Sequence, residues 1–302
     1  MAIAREAFYM LCRLQSVYNF KEASLITLGR QSGIVTFRQI KSISKRLGRN
    51  FEYQHNAKGI DNFYRNTPTG DEIFNMLGFT KIDSLDSNDF ENATLIHDLN
   101  IPIPMNFSEQ YDVVFDGGTT EHIFDQLGAL KNIHNLTKVG GLIIHYTPAN
   151  NYLDHGYFQP SPSFYYEYYL ANGFEIVDSF LISATYDFYR KRKVFEYKPL
   201  LYENLSYGGW GNKMMGNWFA VKKLSSSTSG LIPQQQRYVN YFHIYNKPES
   251  SKNRIYLYFI SFFKRHPDFK FYVLQTKHWG LKIFKIRKYL FKPRSPKPLF
   301  YA

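Results

Sequence analysis

Blocks of apolar and polar residues alternate along the chain in the way that buried strands and amphipathic helices produce. The stretch ASLITLGRQ (23–31) is an apolar run that reaches a glycine, which predicts a buried strand. The stretch IVTFRQIKSISKRLG (34–48) has apolar residues near helical spacing before a terminal glycine, which predicts a helix. The same criteria predict helices at 71–79, 125–137 and 163–174, and strands at 81–86, 94–100, 111–116, 142–147, 175–183 and 217–224. Residues 49–70 are polar and form a long connection.

Alternating strands and helices predict right-handed crossover units, and therefore a mostly parallel sheet with helices on both faces. We expect an α/β fold with a doubly wound sheet of seven strands. The last two strands, 175–183 and 217–224, are joined by an irregular stretch, so we expect them to pair antiparallel at the edge of the sheet.

Composition sets the size of the core and narrows the class of protein. The chain has 302 residues, of which 44% are hydrophobic, and its 27 Phe and 25 Tyr predict a large aromatic core. Its one cysteine, Cys12, excludes an intramolecular disulfide and suits a reducing compartment. Charges at Arg5, Glu6 and Arg13 interrupt any signal-peptide core, and the longest apolar run is far shorter than the roughly 20 residues that span a bilayer. We expect a cytoplasmic protein that is soluble or peripheral at the inner membrane surface.

Positive charge is concentrated at the carboxyl end. Residues 225–302 contain ten Lys and five Arg against Glu249 and Asp268, a net charge of +13, which leaves −1 for residues 1–224 of the total of +12. The low-complexity stretch SSSTSG (225–230) lies where the composition changes. We therefore predict a body at 1–224 and a basic, aromatic, helical extension at 225–302.

The extension carries a basic stripe at helical spacing with apolar residues between its members. The stripe consists of Lys282, Lys285, Lys288 and Lys292. Such a segment can lie on an anionic membrane surface or bind the phosphates of nucleic acid, which we consider the weaker alternative. A solvated helical lid or a dimer contact explains the same pattern, and the oligomeric state does not follow from it.

Ligands of open α/β sheets bind beyond the carboxyl ends of the strands, so the strand ends supply the candidate site residues. They are Gly29, Arg30 and Gln31; Asp86 and Ser87; Asp98, Leu99 and Asn100; Asp116, Gly117 and Gly118; and Tyr146, Thr147 and Pro148. An acid at the second strand end can accept from two vicinal ribose hydroxyls, and one at the third can accept from an exocyclic amine. The first strand is not followed by G-x-G-x-x-G, which disfavours NAD and FAD, and a Walker A loop is absent.

Three stretches carry a resemblance to a known family. YDVVFDGGTTEHIFD with ALKNIHNLTKVGGLIIHYTP resembles the fourth-to-fifth-strand segment of class I S-adenosylmethionine-dependent methyltransferases, which are Rossmann-like. KIDSLDSNDFENATLIHDLNIPIP resembles their second and third strands. TPANNYLDHGYFQPSPSFYYEYYLANGFE is similar to a bacterial subgroup associated with surface glycans or secondary metabolism. The resemblance covers about residues 24–224, and the glycine-rich first loop of the family is reduced here to LGRQSG.

The resemblance implies S-adenosylmethionine as the cofactor and assigns roles to the strand ends. Gly29, Arg30 and Gln31 would border its methionine part, Asp86 and Ser87 its ribose, and Asp98 and Leu99 its adenine. Asp116, Gly117, Gly118 and Glu121 would line the cofactor floor. Asp86 and Asp98 could instead cap local turns, and Arg30 could be a solvated charge.

Histidines provide the candidate bases. His122 would face the cleft where cofactor and acceptor meet, and a histidine can accept a proton from a hydroxyl near neutral pH. His155 is the second candidate, in a loop whose amides and aromatic groups suit a sugar-like acceptor. The acceptor-binding candidates are Asn150, Asn151, Tyr157 and Gln159. No short ligand spacing joins the histidines and acids, so we predict no metal site.

Three functions follow as alternatives. The first is transfer of a methyl group from S-adenosylmethionine to a hydroxyl of a glycan or related small acceptor. The second is a methyltransferase-like scaffold without activity, because the first glycine loop is reduced. The third is an RNA or DNA methyltransferase, which only the basic extension supports.

Overall fold

The structure is a computed structural model that describes residues 2–51, 67–184, 192–206, 208–239 and 298–301. The chain forms two compact units. The first comprises Met1–Leu201, Asn212–Pro233 and Lys297–Ala302, and the second comprises Tyr202–Gly211 and Gln234–Pro296. Within the described part of the second unit, a short 3-10 helix includes Glu203, whose Oε1 lies 3.4 Å from Nε of Arg237. The sheet and the candidate site belong to the first unit.

Five α-helices are described in the first unit. They are α1 (Arg5–Gln15), α2 (Phe37–Leu47), α3 (Gly70–Met76), α4 (Gln126–Leu136) and α5 (Pro162–Ala171). Thr36 and Thr69 form capping boxes that start α2 and α3, and Gly48 ends α2 in the left-handed conformation. The four helices predicted from periodicity are confirmed within a few residues. Helix α1 was not predicted.

Eleven strands are described. They are β1 (Ala2–Ile3), β2 (Ser24–Leu28), β3 (Ser32–Gly33), β4 (Lys81–Asp86), β5 (Leu95–Ile96), β6 (Tyr111–Asp116), β7 (Thr137–Asn150), β8 (Glu175–Ala184), β9 (Lys193–Glu196), β10 (Met214–Lys222) and β11 (Phe300–Tyr301). β1 and β3 form a parallel pair, and the other nine form one sheet in the order β11-β9-β8-β10-β7-β6-β2-β4-β5. All seven predicted strands are present, although the one predicted at 94–100 shrinks to two residues.

The main sheet is mixed. Its four ladders from β5 to β7 are parallel, and its four ladders from β7 to β11 are antiparallel. The α/β class and the antiparallel pairing of β8 with β10 are confirmed. The prediction of seven strands is wrong for the described chain, because β9 and β11 extend the antiparallel side. Both strands are short, β11 at the edge and β9 next to it, and neither leaves a long apolar run in the sequence.

Alternate residues of the central strands belong to two hydrophobic clusters, one on each face of the sheet. Val113 and Phe115 of β6 pack with α1, α2 and α3, whereas Val114 packs with α4 and α5. Trp218 and Phe219 of β10 divide in the same way. The helices thus cover both faces, and the loops beyond the carboxyl ends of the parallel strands are left to form a site.

The chain beyond β10 returns to the body before the described residues stop. The side chain of Asn172, at the end of α5, bonds with Thr228 and with both backbone groups of Leu231. The proposed boundary at 224/225 stays a prediction. The basic stripe lies outside the described residues, and none of the described helices is long and apolar enough to cross a bilayer.

Candidate functional site

The strand order creates a switch point between β2 and β6. The parallel strands of the main sheet stand in the order β5-β4-β2-β6-β7. The chain therefore runs from β2 outward to β4 and β5, returns to β6 beside β2, and continues outward on the other side to β7. Leu28 pairs with Asp116 on one side and with Leu85 on the other, which sets these strand ends level. Ligands of doubly wound sheets bind at such a point. The predicted site residues that follow β2, β4, β5 and β6 therefore share one edge of the sheet.

The loop after β2 is bonded into the protein. Arg30 forms an ion pair with Asp71 at 3.0 Å and donates to the carbonyl oxygen of Asn92 at 2.8 Å. Gln31 is buried, and its Nε2 donates to the carbonyl oxygens of Leu28 and Gly29. Both side chains thus contact protein groups at the position where the resemblance implied the methionine part of a cofactor.

A close backbone approach explains one glycine of this loop. A Cβ on Gly33 would lie 2.0 Å from the carbonyl oxygen of Pro68, so only glycine fits there. A Cβ on Gly117 would lie 2.3 Å from Oε1 of Gln31. Backbone packing thus requires glycine at 33, whereas an alanine at 117 would need the side chains of Gln31 and Phe115 to move.

The acids after β4 and β5 cap local turns with one oxygen each. Oδ1 of Asp86 accepts from the backbone N–H of Ser87 at 2.7 Å and from its hydroxyl at 3.3 Å. Oδ1 of Asp98 accepts from the backbone and side-chain N–H groups of Asn100, and these bonds lower the pKa of Asp98. Oδ2 of neither acid has a hydrogen bond with a described residue, so each can still accept from a ligand. Leu99 is 3% exposed and packs in the hydrophobic cluster beneath.

Asp116, at the end of β6, is the centre of a buried polar network. Its Oδ1 accepts from the backbone N–H of Thr119 at 2.9 Å, and its Oδ2 accepts from the hydroxyl of Thr120 and contacts Nδ1 of His145 at 2.7 Å. Nε2 of His145 lies 2.7 Å from the hydroxyl of Tyr169. Burial would raise the pKa of Asp116, but the hydrogen bonds from His145 and Thr120 hold it below its usual value. The carboxylate therefore shapes the turn that carries Gly117 and Gly118.

A cavity of about 350 Å³ lies beyond the end of β6 and beside residues 146–148 of β7. Its lining includes five of the predicted site residues, Gly117, Gly118, Glu121, His122 and His155. Its other lining residues include Tyr146, Thr147, Pro148 and Tyr152, of which the first three were named as a strand end. The remaining predicted residues do not line this cavity.

Two segments come together to form the polar part of the cavity. Glu121 and His122 belong to a 3-10 helix, Thr120–His122, and His155 belongs to the loop after β7. The backbone N–H of Phe158 donates to the carbonyl oxygen of Glu121 at 3.0 Å and fixes the loop. A Cβ on Gly156 would lie 2.9 Å from that same oxygen and 3.1 Å from Nδ1 of His122, so glycine permits this approach.

Glu121 is buried beside two half-exposed histidines. Its side chain is 1% exposed, and Oε1 lies 3.5 Å from Nε2 of His155 and 3.9 Å from Nε2 of His122. Neither carboxyl oxygen forms a hydrogen bond with a described residue. Burial, and then the charge of Asp116, raises the pKa of Glu121 to about 8, while burial and His155 lower the pKa of His122.

The predicted acceptor-binding residues are dispersed. Asn151 donates to the carbonyl oxygen of Lys213 at 2.7 Å, and Gln159 accepts from the backbone N–H of Tyr152 at 2.7 Å, so both stabilise the loop. Asn150 is exposed at the end of β7. Tyr157 is also exposed.

Sequence reasoning named Tyr157 but missed Phe124, with which Tyr157 forms an exposed aromatic pair close in sequence to the two histidines. Phe124 is 73% exposed and Tyr157 is 71% exposed, and their rings meet edge to face at 5.8 Å. Phe124 follows His122 by two residues, and Tyr157 follows His155 by two. That equal offset is the only sequence signal that could have pointed to Phe124.

The sequence matches no family profile and no curated protein. Among solved structures, the chain is similar to a 1,6-didemethyltoxoflavin-N1-methyltransferase of Burkholderia thailandensis with bound S-adenosylhomocysteine, at 12% identity and a TM-score of 0.38 over 73% of this chain and 80% of that one. It is similar to an S-adenosylmethionine-dependent methyltransferase of Mesorhizobium loti, at 10% identity and a TM-score of 0.34 over 73% and 98%. It is also similar to the branched-chain polyamine synthase of Thermus thermophilus, at 12% identity and a TM-score of 0.37 over 76% and 58%. These proteins have different activities, so the comparison alone assigns no reaction.

Proposed function

We propose that the chain is an S-adenosylmethionine-dependent methyltransferase that acts on a hydroxyl of a glycan or a related small acceptor. The observation that carries the proposal is the switch point between β2 and β6, with Gly117 and Gly118 lining a cavity and acids following the next two strands. The sequence resemblance of residues 24–224 supports the same cofactor.

The described residues fit the adenosine part of this cofactor. The free Oδ2 of Asp86 suits a ribose hydroxyl, and the free Oδ2 of Asp98 suits an exocyclic amine. Gly117 and Gly118 present backbone without side chains to the cavity. S-adenosylmethionine, when bound, supplies a methyl group on a sulfonium whose sulfur leaves as a neutral thioether.

The chain's own contribution is to position and activate the acceptor. The acceptor oxygen forms its new bond to the methyl carbon and loses its proton, and we assign His122 or His155 as the base that accepts it. The lowered pKa of His122 keeps its imidazole neutral at pH 7, as a base must be. The exposed rings of Phe124 and Tyr157 supply faces on which the C–H groups of a sugar can stack. Holding the two reactants in line can account for much of the rate acceleration.

Calorimetric titration with S-adenosylmethionine and S-adenosylhomocysteine tests the cofactor. We expect both to bind, and we expect Asp86→Ala to weaken binding by about 10- to 100-fold, the effect of losing hydrogen bonds to a charged group. Asp89→Ala is the matched control, because it removes an exposed carboxylate from the same loop without touching the strand end. Equal effects of the two substitutions would reject the ribose assignment.

A scaffold without activity is the second candidate, favoured by the bonding of Arg30 and Gln31 into the protein. It predicts that a correctly folded chain binds neither cofactor form. Formation of S-adenosylhomocysteine in the presence of a glycan extract would exclude it. The membrane and nucleic-acid partners of the basic extension stay proposals, since residues 240–297 lie outside the described structure.

A further inference from the structure

Glu121, His122 and His155 form a compact group of potential metal ligands. One ligand atom from each lies within 4.8 Å of the other two, and the two distances from Oε1 of Glu121 are 3.5 and 3.9 Å. Ligands at about 2.1 Å from a tetrahedral ion are about 3.4 Å apart. A small movement of the exposed imidazoles would therefore bring all three atoms onto one ion.

The buried carboxyl group of Glu121 would be stabilised by a cation. A carboxyl group withdrawn from water normally has hydrogen-bond donors, because an unpaired one costs free energy. Both of its oxygens are buried and have no hydrogen bond among the described residues, although two imidazoles stand beside them. A divalent ion between the three side chains would satisfy the carboxylate and both ring nitrogens at once.

The two segments that carry the ligands are held by the protein itself. The bond from Phe158 to the backbone of Glu121, together with the close contact that Gly156 permits, fixes the loop of His155 against the 3-10 helix. The side chains of His122 and His155 are 44% and 50% exposed, so water can accept from the second ring nitrogen of each. Because the backbone is fixed and the two imidazoles are half-exposed, the site can bind an ion without local unfolding.

The ligand set selects the class of ion. Two imidazoles and one carboxylate suit zinc, cobalt, nickel or iron, whereas magnesium prefers oxygen ligands and keeps several waters. Three protein ligands leave at least one coordination position for water or substrate. All three residues line the cavity, so an ion held by them would have its open position next to that space.

We propose that Glu121, His122 and His155 bind one divalent transition-metal ion of the zinc class, contrary to the sequence expectation of no metal site. When bound, the ion would take over the task assigned above to the histidines: it would hold the acceptor oxygen and lower the pKa of its hydroxyl, whose proton then leaves to solvent water because both imidazoles are ligands. This role rests on the proposed function, whereas metal binding itself does not.

The test measures metal binding by the full chain without cofactor or acceptor. The protein is stripped with a chelator, dialysed, and titrated with Zn²⁺, Co²⁺ and Mg²⁺ by calorimetry, and the bound metal is counted by mass spectrometry. The variants are Glu121→Gln, His122→Ala and His155→Ala, and His97→Ala is the control because His97 lies outside the cluster. The difference in bound metal between the wild type and each variant excludes metal bound by histidines elsewhere in the chain.

We expect the wild type and His97→Ala to hold one more equivalent of Zn²⁺ or Co²⁺ than each cluster variant. The affinity of this equivalent should fall by more than the 10- to 100-fold typical of residues that only support a ligand. Zn²⁺ should also raise the melting temperature of the wild type but not of His155→Ala. Because His155 is half-exposed, this variant should fold as the wild type does, and the difference then reports metal binding. Equal stoichiometry and affinity in all proteins, or equal binding of Mg²⁺, would overturn the proposal. A chain that binds zinc but not S-adenosylmethionine keeps this inference and loses the proposed function.

Discussion

His145 and Asp116 bond to each other inside the sheet, with Nδ1 2.7 Å from Oδ2 and neither side chain exposed. The two residues occupy paired positions on neighbouring parallel strands. Since the pKa of Asp116 is low and Tyr169 keeps its proton, we assign Nδ1 of His145 as a donor to Asp116 and Nε2 as an acceptor from Tyr169. The hydrogen bonds from Asp116 through His145 to Tyr169 link β6, β7 and α5 beneath the turn that carries Gly117 and Gly118.

Removing the imidazole should strongly destabilise the protein. His145→Phe keeps a ring that can stack on Tyr165, which lies 4.3 Å away, but removes the imidazole donor from the buried carboxylate of Asp116. Losing a hydrogen bond to a buried charged group costs about 1.5–3 kcal/mol. Urea unfolding followed by circular dichroism should show this loss, against at most about 1 kcal/mol for His97→Ala. Comparable midpoints for the two variants would show that the Asp116–His145 contact is not stabilising.

Asp116 should also make the stability depend on acid pH. Its folded-state pKa lies below the unfolded value of about 3.9, so its stabilisation is present above that value and is lost as pH falls through the folded pKa. The titratable groups around it include His145, Tyr165, Tyr169, Glu121 and His122. We expect the free energy of unfolding to decrease with a steeper slope in the wild type than in Asp116→Asn below about pH 5.

The measurement is a series of urea unfolding curves from pH 7 downwards. Asp89→Asn serves as the comparison, because it removes an exposed carboxylate and should keep the wild-type slope. If Asp116→Asn keeps that slope as well, the carboxyl group does not have a lowered pKa in the folded state.

Cys12 should be unreactive while the protein is folded. It is fully buried in α1, and burial raises the pKa of its thiol to about 12. The thiol is therefore protonated at neutral pH, and both its charge state and its burial oppose attack on a disulfide reagent. Labelling with such a reagent should find no reactive thiol in the native protein and one in denaturant. Prompt labelling of the native protein would mean that α1 is not packed on the sheet.

Much of the body could be predicted because its buried strands are continuous apolar runs and its helices repeat apolar residues at helical spacing. Val113, Val114 and Phe115 alternate between two faces, and all are buried because helices cover both. Helix α1 escaped prediction for a related reason. Nine of its eleven residues are buried, including Arg5 and Glu6, so its charged positions do not mark a solvent-exposed face.

The candidate site could be predicted only in part. Strand ends identified Gly117, Gly118 and Asp86, since ends of parallel strands must meet at one edge. The grouping of Glu121 and His122 with His155 could not be predicted, because His155 lies 33 residues after His122 and reaches it through a loop. Spacing in a sequence reports ligands on one element, whereas this cluster depends on how two segments pack.

A buried ion pair joins α1 to the residue before β9. Nε of Arg192 lies 3.2 Å from Oε1 of Glu6, which also accepts from the hydroxyl of Tyr146 at 2.8 Å. Each single substitution, Glu6→Leu or Arg192→Met, should cost about 3–5 kcal/mol, because it removes one charge of a buried ion pair. The double variant should be more stable than the sum of the single effects predicts, and urea unfolding of all four proteins measures the coupling. Strict additivity would show that the two charges do not interact.

The effects of substitutions at Gly117 and Gln31 should also be coupled, here by a steric clash rather than by charge. A Cβ on Gly117 would lie 2.3 Å from Oε1 of Gln31 and 2.7 Å from Cε1 of Phe115, so Gly117→Ala overfills the switch point. Overpacking of this kind costs about 1–3 kcal/mol. Because the amide of Gln31 is the nearer obstacle, Gln31→Ala in the same chain should recover part of the loss in melting temperature. Gly140→Ala is the control for placing alanine at a glycine: its Cβ would meet nothing within 4 Å, although its φ of +84° adds backbone strain. If Gln31→Ala gives no recovery, the loss comes from Phe115 and the backbone, and Gln31 does not limit the space at the switch point.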